Sequence, residues 1–272
     1  VDTGFIVFNE VTYPNFLKLI KRLGVRYQPS RMTFSCKSEP EGREYSAHSL
    51  NTIFGQRRNL LDPTFYAMVR DILRLRREFG RLSAEVGDER PLVPYLRSRG
   101  YSKRFIDFFL VPMAASIWSA DPEKAEEFPL RTFARFFVNH GILEVKNPFE
   151  WKVIAGGSAR YVEKLTAGFR DRIRTGTPVR SVQRHPDHVT VTPANGTTER
   201  FDHVVLACHS DQALATLADP SPVERELLGA IPYQENKAVL HTDKSLLPER
   251  RKLWASWNYL IPRSGTERAV LT

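Results

Sequence analysis

Residues 172–214 read RIRTGTPVRSVQRHPDHVTVTPANGTTERFDHVVLACHSDQAL, and this stretch limits the fold more than any other. "HVTVT" alternates apolar and polar residues, the period of a strand with one face in a core. Asn195-Gly196, just after it, is a two-residue hairpin signal, because such turns favour residues that tolerate positive φ. "HVVLAC" does not alternate. It reads as a strand covered on both faces, with Val204–Ala207 in the middle of a sheet. Ser210 or Asp211 then caps the helix "DQALATL", which leaves Cys208 and His209 on the strand-to-helix turn. In open α/β sheets the turn at a strand's carboxyl end borders the ligand crevice.

The rest of the chain supplies the other layers. "VDTGFIVF" reads as a strand with a glycine inside it, where another backbone or a ligand can approach closely. "TYPNFLKLIKRLGV" follows as a helix, capped by Thr12, with Pro14 in its first turn and Gly24 at its end. "RYQPSRMTFSCKSEPEGREYSA" reads as a hairpin around Glu41-Gly42. Residues 50–140 are mostly helical. "FYAMVRDILRLRREFGRL" is amphipathic, "SKRFIDFFLVPMAASIWS" is apolar with Pro112 as a kink or break, and "PLRTFARFFVNHGIL" stops at Gly141. A Gly-Gly turn with Ser158 as cap opens a further helix, and "NKAVLHTDKSLLP", "LWASWNYLIP" and "ERAVLT" read as strands. The expected fold is mixed α/β with two interleaved lobes.

At 272 residues the chain makes one large domain or two small ones and buries about three quarters of its unfolded surface. No run approaches the ~18 apolar residues of a membrane span, and the opening "VDTGFIVFNE" lacks the pattern of a signal peptide. Cys36 and Cys208 stand far apart and make no disulfide framework, so a reducing cytoplasm is the expectation. The formal net charge of +9 points to an anionic partner, but the basic residues are dispersed in short clusters such as "GQRRNLL" and "LPERRKLW", the texture of solvated faces. The expectation is no nucleic acid, with peripheral association to an anionic membrane left open. The chain opens and ends inside strand-like runs, which reads as a segment of a longer protein.

Candidate chemistry is sparse. Cys208 and His209 are adjacent, and adjacent strand residues point to opposite faces, which does not suit a nucleophile and its base. His209, Asp211, His241 and Asp243 repeat a His-x-Asp pattern, but neither His-x-x-x-His nor Cys-x-x-Cys accompanies it, so no metal is expected. "AGGSARY" is a phosphate-turn candidate that lacks the G-x-G-x-x-G pattern, and "WASWNY" at strand spacing reads as core packing.

Taken in order, "VDTGFIVFNEVTYPNFLKLIKRLGV", "GGSARYVEKLTAGFRDRIRTGTPVRSVQR" and "FDHVVLACHSDQAL" resemble the flavin-containing amine oxidase superfamily. "PMAASIWS", "ACHSDQAL", "AVLHTD" and "WASWNY" resemble its NAD/FAD-binding oxidoreductase subgroup, which is associated with cyclopropane-fatty-acid synthases. The resemblance implies a Rossmann-like FAD-binding lobe, truncated here because the G-x-G-x-x-G turn is absent, from residues 1–8 and 150–215, and a substrate lobe from 9–149 and 216–272. It implies FAD as cofactor, with Gly4, Phe5 and Ile6 along the flavin and the backbone of Val179 at the adenine. Lys237 is the nearest candidate for a flavin-side lysine that holds a water, although an ungapped match puts Ala238 there; the bland alternative is a surface lysine. The implied activity is hydride transfer from a substrate C–H bond to flavin, with a small molecule or lipid as substrate and these 272 residues inactive by themselves. The rivals are a non-catalytic basic module that binds a membrane surface or partner, and a His/Asp metallohydrolase.

Overall fold

A computed structural model describes residues 2, 4–84, 90–118, 122–142, 149–233, 235–263 and 270–271. The chain divides into two packing units. The larger takes residues 1–165 with 239–272, and the smaller takes 166–238.

The larger unit is built on a four-stranded sheet. Strands Phe34–Ser38 and Arg43–Ser46 form the expected hairpin, with Gly42 at φ +59° in its turn. Phe34–Ser38 also pairs in parallel with Trp257–Ile261, and Val270–Leu271 closes the edge antiparallel to that strand. Cys36 lies opposite both Tyr45 and Tyr259 and all three are buried. The core prediction for "WASWNY" therefore holds at Tyr259 and at the buried Asn258, whose amide oxygen accepts the Ser35 hydroxyl at 2.8 Å.

Helices Pro63–Leu82 and Leu130–Asn139 pack Phe65, Phe79, Phe133 and Phe137 into the same core. Asp62 caps the first of them through the Thr64 N–H at 3.0 Å. At the end of the second, Gly141 takes φ +59°, with Gly141 N–H to Val138 C=O and Ile142 N–H to Phe137 C=O, a Schellman ending. Pro112 acts as the sequence suggests but does not stop the helix. A π turn over Ile106–Leu110 leads into helix Val111–Trp118. Proline has no N–H to give the preceding turn, and the Phe108 carbonyl instead accepts the buried Tyr45 hydroxyl at 2.8 Å.

A second core in this unit joins Phe8, Leu17, Ile20, Val25 and Ile154. It sits against a two-stranded sheet in which Tyr27–Ser30 pairs antiparallel with Trp151–Ile154. The first half of "RYQPSRMTFSCKS" is thus outside the hairpin assigned to it. "VDTGFIVF" is no strand either. Among the described residues only Phe8 has a ladder partner, Lys152, with N–H···O distances of 3.0 and 2.8 Å. Thr12 does not cap the following helix, Pro14–Arg22. Its N–H and hydroxyl are engaged by the Asn9 side chain, and Tyr13 is the cap residue.

The smaller unit is the meander. Strands Val179–Arg184, Val189–Pro193 and Glu199–Phe201 pair in that order, with Gly196 at φ +83° and the Thr197 N–H on the Asn195 side chain at 3.1 Å. Helices Ser210–Thr216 and Pro222–Gly229 follow, the second opened by a Ser221–Glu224 capping box. "HVVLAC" departs from its prediction. Residues 203–207 belong to no described strand or helix, and Val205 is 88% exposed. A run of β-branched residues is covered only where neighbours flank it, and the described residues supply none. "NKAVLHT" likewise belongs to no described strand, with Leu240 82% exposed.

Candidate functional site

The segment from Asp2 to Phe8 is held at two points. Its start lies on the Gly156-Gly157-Ser158 turn, where both Asp2 carboxylate oxygens are 3.0 Å from the Ser158 N–H. Gly156 and Gly157 hold φ of +82° and +88°, a conformation that admits glycine at little cost. The turn considered as a phosphate cradle therefore already carries a carboxylate of this chain, placed just before helix Ala159–Thr166. The Ser158 hydroxyl reaches the Phe5 carbonyl at 3.5 Å, and Phe8 fixes the far end on Lys152.

Between those anchors Gly4, Phe5 and Ile6 face outward. Phe5 is 48% and Ile6 46% exposed, and a β-carbon built on Gly4 would meet nothing within 4 Å. The open space at Gly4 beside these two apolar side chains makes a shelf with room for a planar ring. The residues present are thus compatible with the flavin implied by the resemblance.

An aromatic run leads from the shelf into the unit. Phe5 meets Tyr13 at 5.6 Å and Phe16 edge-on at 5.0 Å. Tyr13 approaches His140 and Trp151, and His140 stacks on Phe136 at 4.0 Å, which in turn meets Trp118 at 4.8 Å. The polar atoms in this run have defined roles. His140 Nδ1 lies 2.9 Å from the Phe136 carbonyl, which only accepts, so Nδ1 carries the proton. In the neutral ring Nε2 then accepts, and the Tyr13 hydroxyl, 3.4 Å away, donates to it. Burial raises the Tyr13 phenol above its ordinary value, so it keeps its proton at neutral pH. The hydroxyl and the imidazole thus satisfy one another within a run of packed rings.

The other residues singled out in the sequence lie elsewhere. Val179 opens the meander in the smaller unit and is half-exposed. Lys237 is exposed on a segment of that unit outside any described helix or strand, with no partner among the described residues. His209 precedes helix Ser210–Thr216 without a side-chain cap and stacks on Tyr233 at 4.5 Å. The Tyr233 hydroxyl accepts the Ser210 N–H at 2.9 Å, so neither Ser210 nor Asp211 is the cap; Asp211 takes the Gln212 N–H instead. His241 and Asp243 serve a local turn, with Asp243 N–H to His241 Nδ1 at 3.1 Å and Ser245 N–H to Asp243 at 2.9 Å. Among the described residues no group of three His, Cys, Asp or Glu side chains is placed to hold a metal.

Tyr13, His140 and Trp151 escaped the sequence reading. Tyr13 and His140 each sit beside a signal that the sequence gives for structure alone, Pro14 and Gly141, and Trp151 opens the strand Trp151–Ile154.

Comparison with known proteins bears on this geometry. The model of the family described as flavin containing amine oxidoreductase matches residues 1–264. Among solved structures, a cofactor-redesigned mutant of putrescine oxidase is 13% identical with a TM-score of 0.59, over 84% of this chain and 52% of that one. Cyclohexylamine oxidase from Brevibacterium oxydans IH-35A is 18% identical with a TM-score of 0.58, over the same shares of the two chains. The CLA-producing fatty acid isomerase from P. acnes is 13% identical with a TM-score of 0.54, again over 84% and 52%. At such identities the likeness is one of fold, and the chain spans about half the length of these structures. A search of curated proteins returned no match. The family match runs through the shelf, the Gly-Gly turn, the meander and the parallel strand pair alike, and the chain belongs to the flavin-containing amine oxidoreductase family.

Proposed function

We propose that the chain works within a FAD-dependent oxidoreductase that takes hydride from a substrate C–H bond. Bound flavin supplies the electron sink for that step. The chain's own part is positional. Gly4, Phe5 and Ile6 offer the shelf along the ring, and Phe5 with Tyr13, Phe16 and Trp151 excludes water beside it. The Val179 backbone is assigned to the adenine and Lys237 to a water near the reacting ring, both on resemblance.

The observation that carries the reading is the open space at Gly4 beside the half-exposed Phe5 and Ile6. A lipid or other apolar substrate, the class we favour, suits the aromatic run, and one structural neighbour is by name a fatty acid isomerase. Association with the cyclopropane-fatty-acid synthase neighbourhood belongs to the same proposal. The 272 residues carry no G-x-G-x-x-G turn and are expected to be inactive by themselves.

The test compares Gly4→Val with Gly168→Val in the full-length protein, since both glycines have open space around the β-carbon position. The ratio of visible flavin absorbance to protein absorbance should fall sharply for Gly4→Val and stay near wild type for Gly168→Val, with folding checked by circular dichroism. Equal flavin loading in the two variants would remove Gly4 from the site. A colourless wild type would favour the non-catalytic module.

A further inference from the structure

A cavity of about 440 Å³ opens in the larger unit between the end of helix Pro14–Arg22 and helix Ala159–Thr166. Gly24, Val25, Arg26, Ala155, Gly156, Arg160, Glu163 and Lys164 line it. Three of these side chains are cations and one is an anion, so the cavity has a net charge of about +2 at neutral pH.

The cations are placed by the fold. Helix Pro14–Arg22 ends in a Schellman motif, with Val25 N–H on Ile20 C=O at 3.1 Å, Gly24 N–H on Lys21 C=O at 3.1 Å, and Gly24 at φ +59°. That ending turns the Leu23 and Gly24 carbonyls outward, and the Lys164 ammonium takes both, at 3.1 and 2.7 Å. Lysine carries three N–H donors, so with two used one remains for a ligand. Elsewhere on the lining the Arg26 carbonyl is fixed by the Ala155 N–H at 3.0 Å, while its guanidinium has no partner among the described residues. Arg160 shares only one contact with Glu163, at 3.5 Å, one turn along the same helix. Lys21 and Arg22 add exposed charge in the last turn of the first helix.

We propose that this cavity is an anion site that takes a phosphate monoester or diester, with Arg26 and Arg160 closing on its oxygens and Lys164 as the fixed point charge. Guanidinium groups suit this role because their planar N–H pairs match phosphate oxygens. The volume exceeds what inorganic phosphate fills and falls in the ordinary range of small-ligand sites, which leaves room for the esterified group. The group has two possible sources, a soluble phosphate ester or a phospholipid headgroup at a membrane surface.

The experiment uses the flavin-loaded full-length protein. Calorimetric titration with inorganic phosphate and with glycerol 3-phosphate should show saturable binding. In Arg26→Gln/Arg160→Gln both should weaken at least about tenfold, the loss of one or two charge-assisted hydrogen bonds. Arg26→Gln alone changes only an exposed side chain and keeps the test valid if the double variant fails to fold. Sedimentation with phosphatidylcholine vesicles, with and without phosphatidylglycerol, separates the sources. Pelleting that needs phosphatidylglycerol and is lost in Arg26→Gln assigns the headgroup; titrable phosphate binding without pelleting assigns the soluble ester. Absence of saturable binding by wild type in every arm, or binding unchanged in Arg26→Gln and the double variant, would overturn the proposal. Loss of flavin from the folded variants would also overturn it, because the cavity would then serve the cofactor.

Discussion

The larger unit packs Phe65, Phe79, Phe105, Phe109, Phe133 and Phe137 out of solvent against a four-stranded sheet. The smaller unit, among its described residues, buries only Val182, Val189, Pro193, Ala213 and Pro220. What it has instead is ion pairs across its surface. Arg184 joins both Asp219 and Glu224, Arg174 pairs with Glu199, and Asp187 meets His188 and Arg200. Burial is insensitive to salt and weakly sensitive to pH, whereas exposed pairs are screened over a Debye length of roughly 8 Å at physiological ionic strength. The two units should therefore fail under different conditions.

The largest effect is expected in the aromatic core. Phe133 is fully buried and meets Phe137 at 4.2 Å, Trp118 at 5.4 Å and Phe79 at 5.8 Å. Phe133→Ala should cost about 3–5 kcal/mol in urea unfolding. Val182→Ala removes the most buried side chain of the meander and should cost about 1.6 kcal/mol at ~0.8 per methylene-sized group. Equal losses in the two variants would erase the contrast.

A smaller effect tests turn chemistry. Gly196 has φ +83° and open space around it, so Gly196→Ala should lose stability only through backbone strain, about 1–2 kcal/mol. Gly168→Ala, with neither positive φ nor a neighbour, is the control and should be near neutral. A control that destabilises as much would mean that something other than φ governs these positions.

These turns mark how much was readable in the chain. Glu41-Gly42 and Asn195-Gly196 announce their hairpins because the requirement is local: a positive φ, met by glycine. The endings at Gly24 and Gly141 were legible for the same reason. Pairings across the chain were not. Tyr27–Ser30 finds Trp151–Ile154, and Phe34–Ser38 finds Trp257–Ile261, over separations that no local pattern encodes. "HVVLAC" and "NKAVLHT" show the converse. Their composition is that of covered strands, but composition sets a preference and partners decide pairing. The assignment of Gly4–Ile6 to the flavin rests on family resemblance, and the Tyr13–His140 pair was not legible at all, since it joins residues 127 positions apart.

The smallest effect is the sharpest test of the contrast, because it concerns groups on the surface. The Arg184 guanidinium and then the Ser221 backbone N–H hold the Glu224 carboxyl down to about 2. His188 lowers the Asp187 carboxyl, and Arg174 lowers that of Glu199. Each folded-state value lies below the unfolded one, so each contribution is complete above the ordinary carboxylate range, roughly pH 4, and fades as pH falls through the folded value. The smaller unit should consequently loosen between about pH 4 and pH 2, before the aromatic core does. Hydrogen exchange at the amides of Val182 and Val191 should accelerate over that window, while those of Phe105 and Phe133 stay protected. Glu224→Gln should flatten the acid dependence without moving the melting temperature at neutral pH by more than exposed pairs usually do. An unchanged acid slope in that variant would show that the pairs around Arg184 are decorative, and that the meander is held by its three strands and few buried side chains alone.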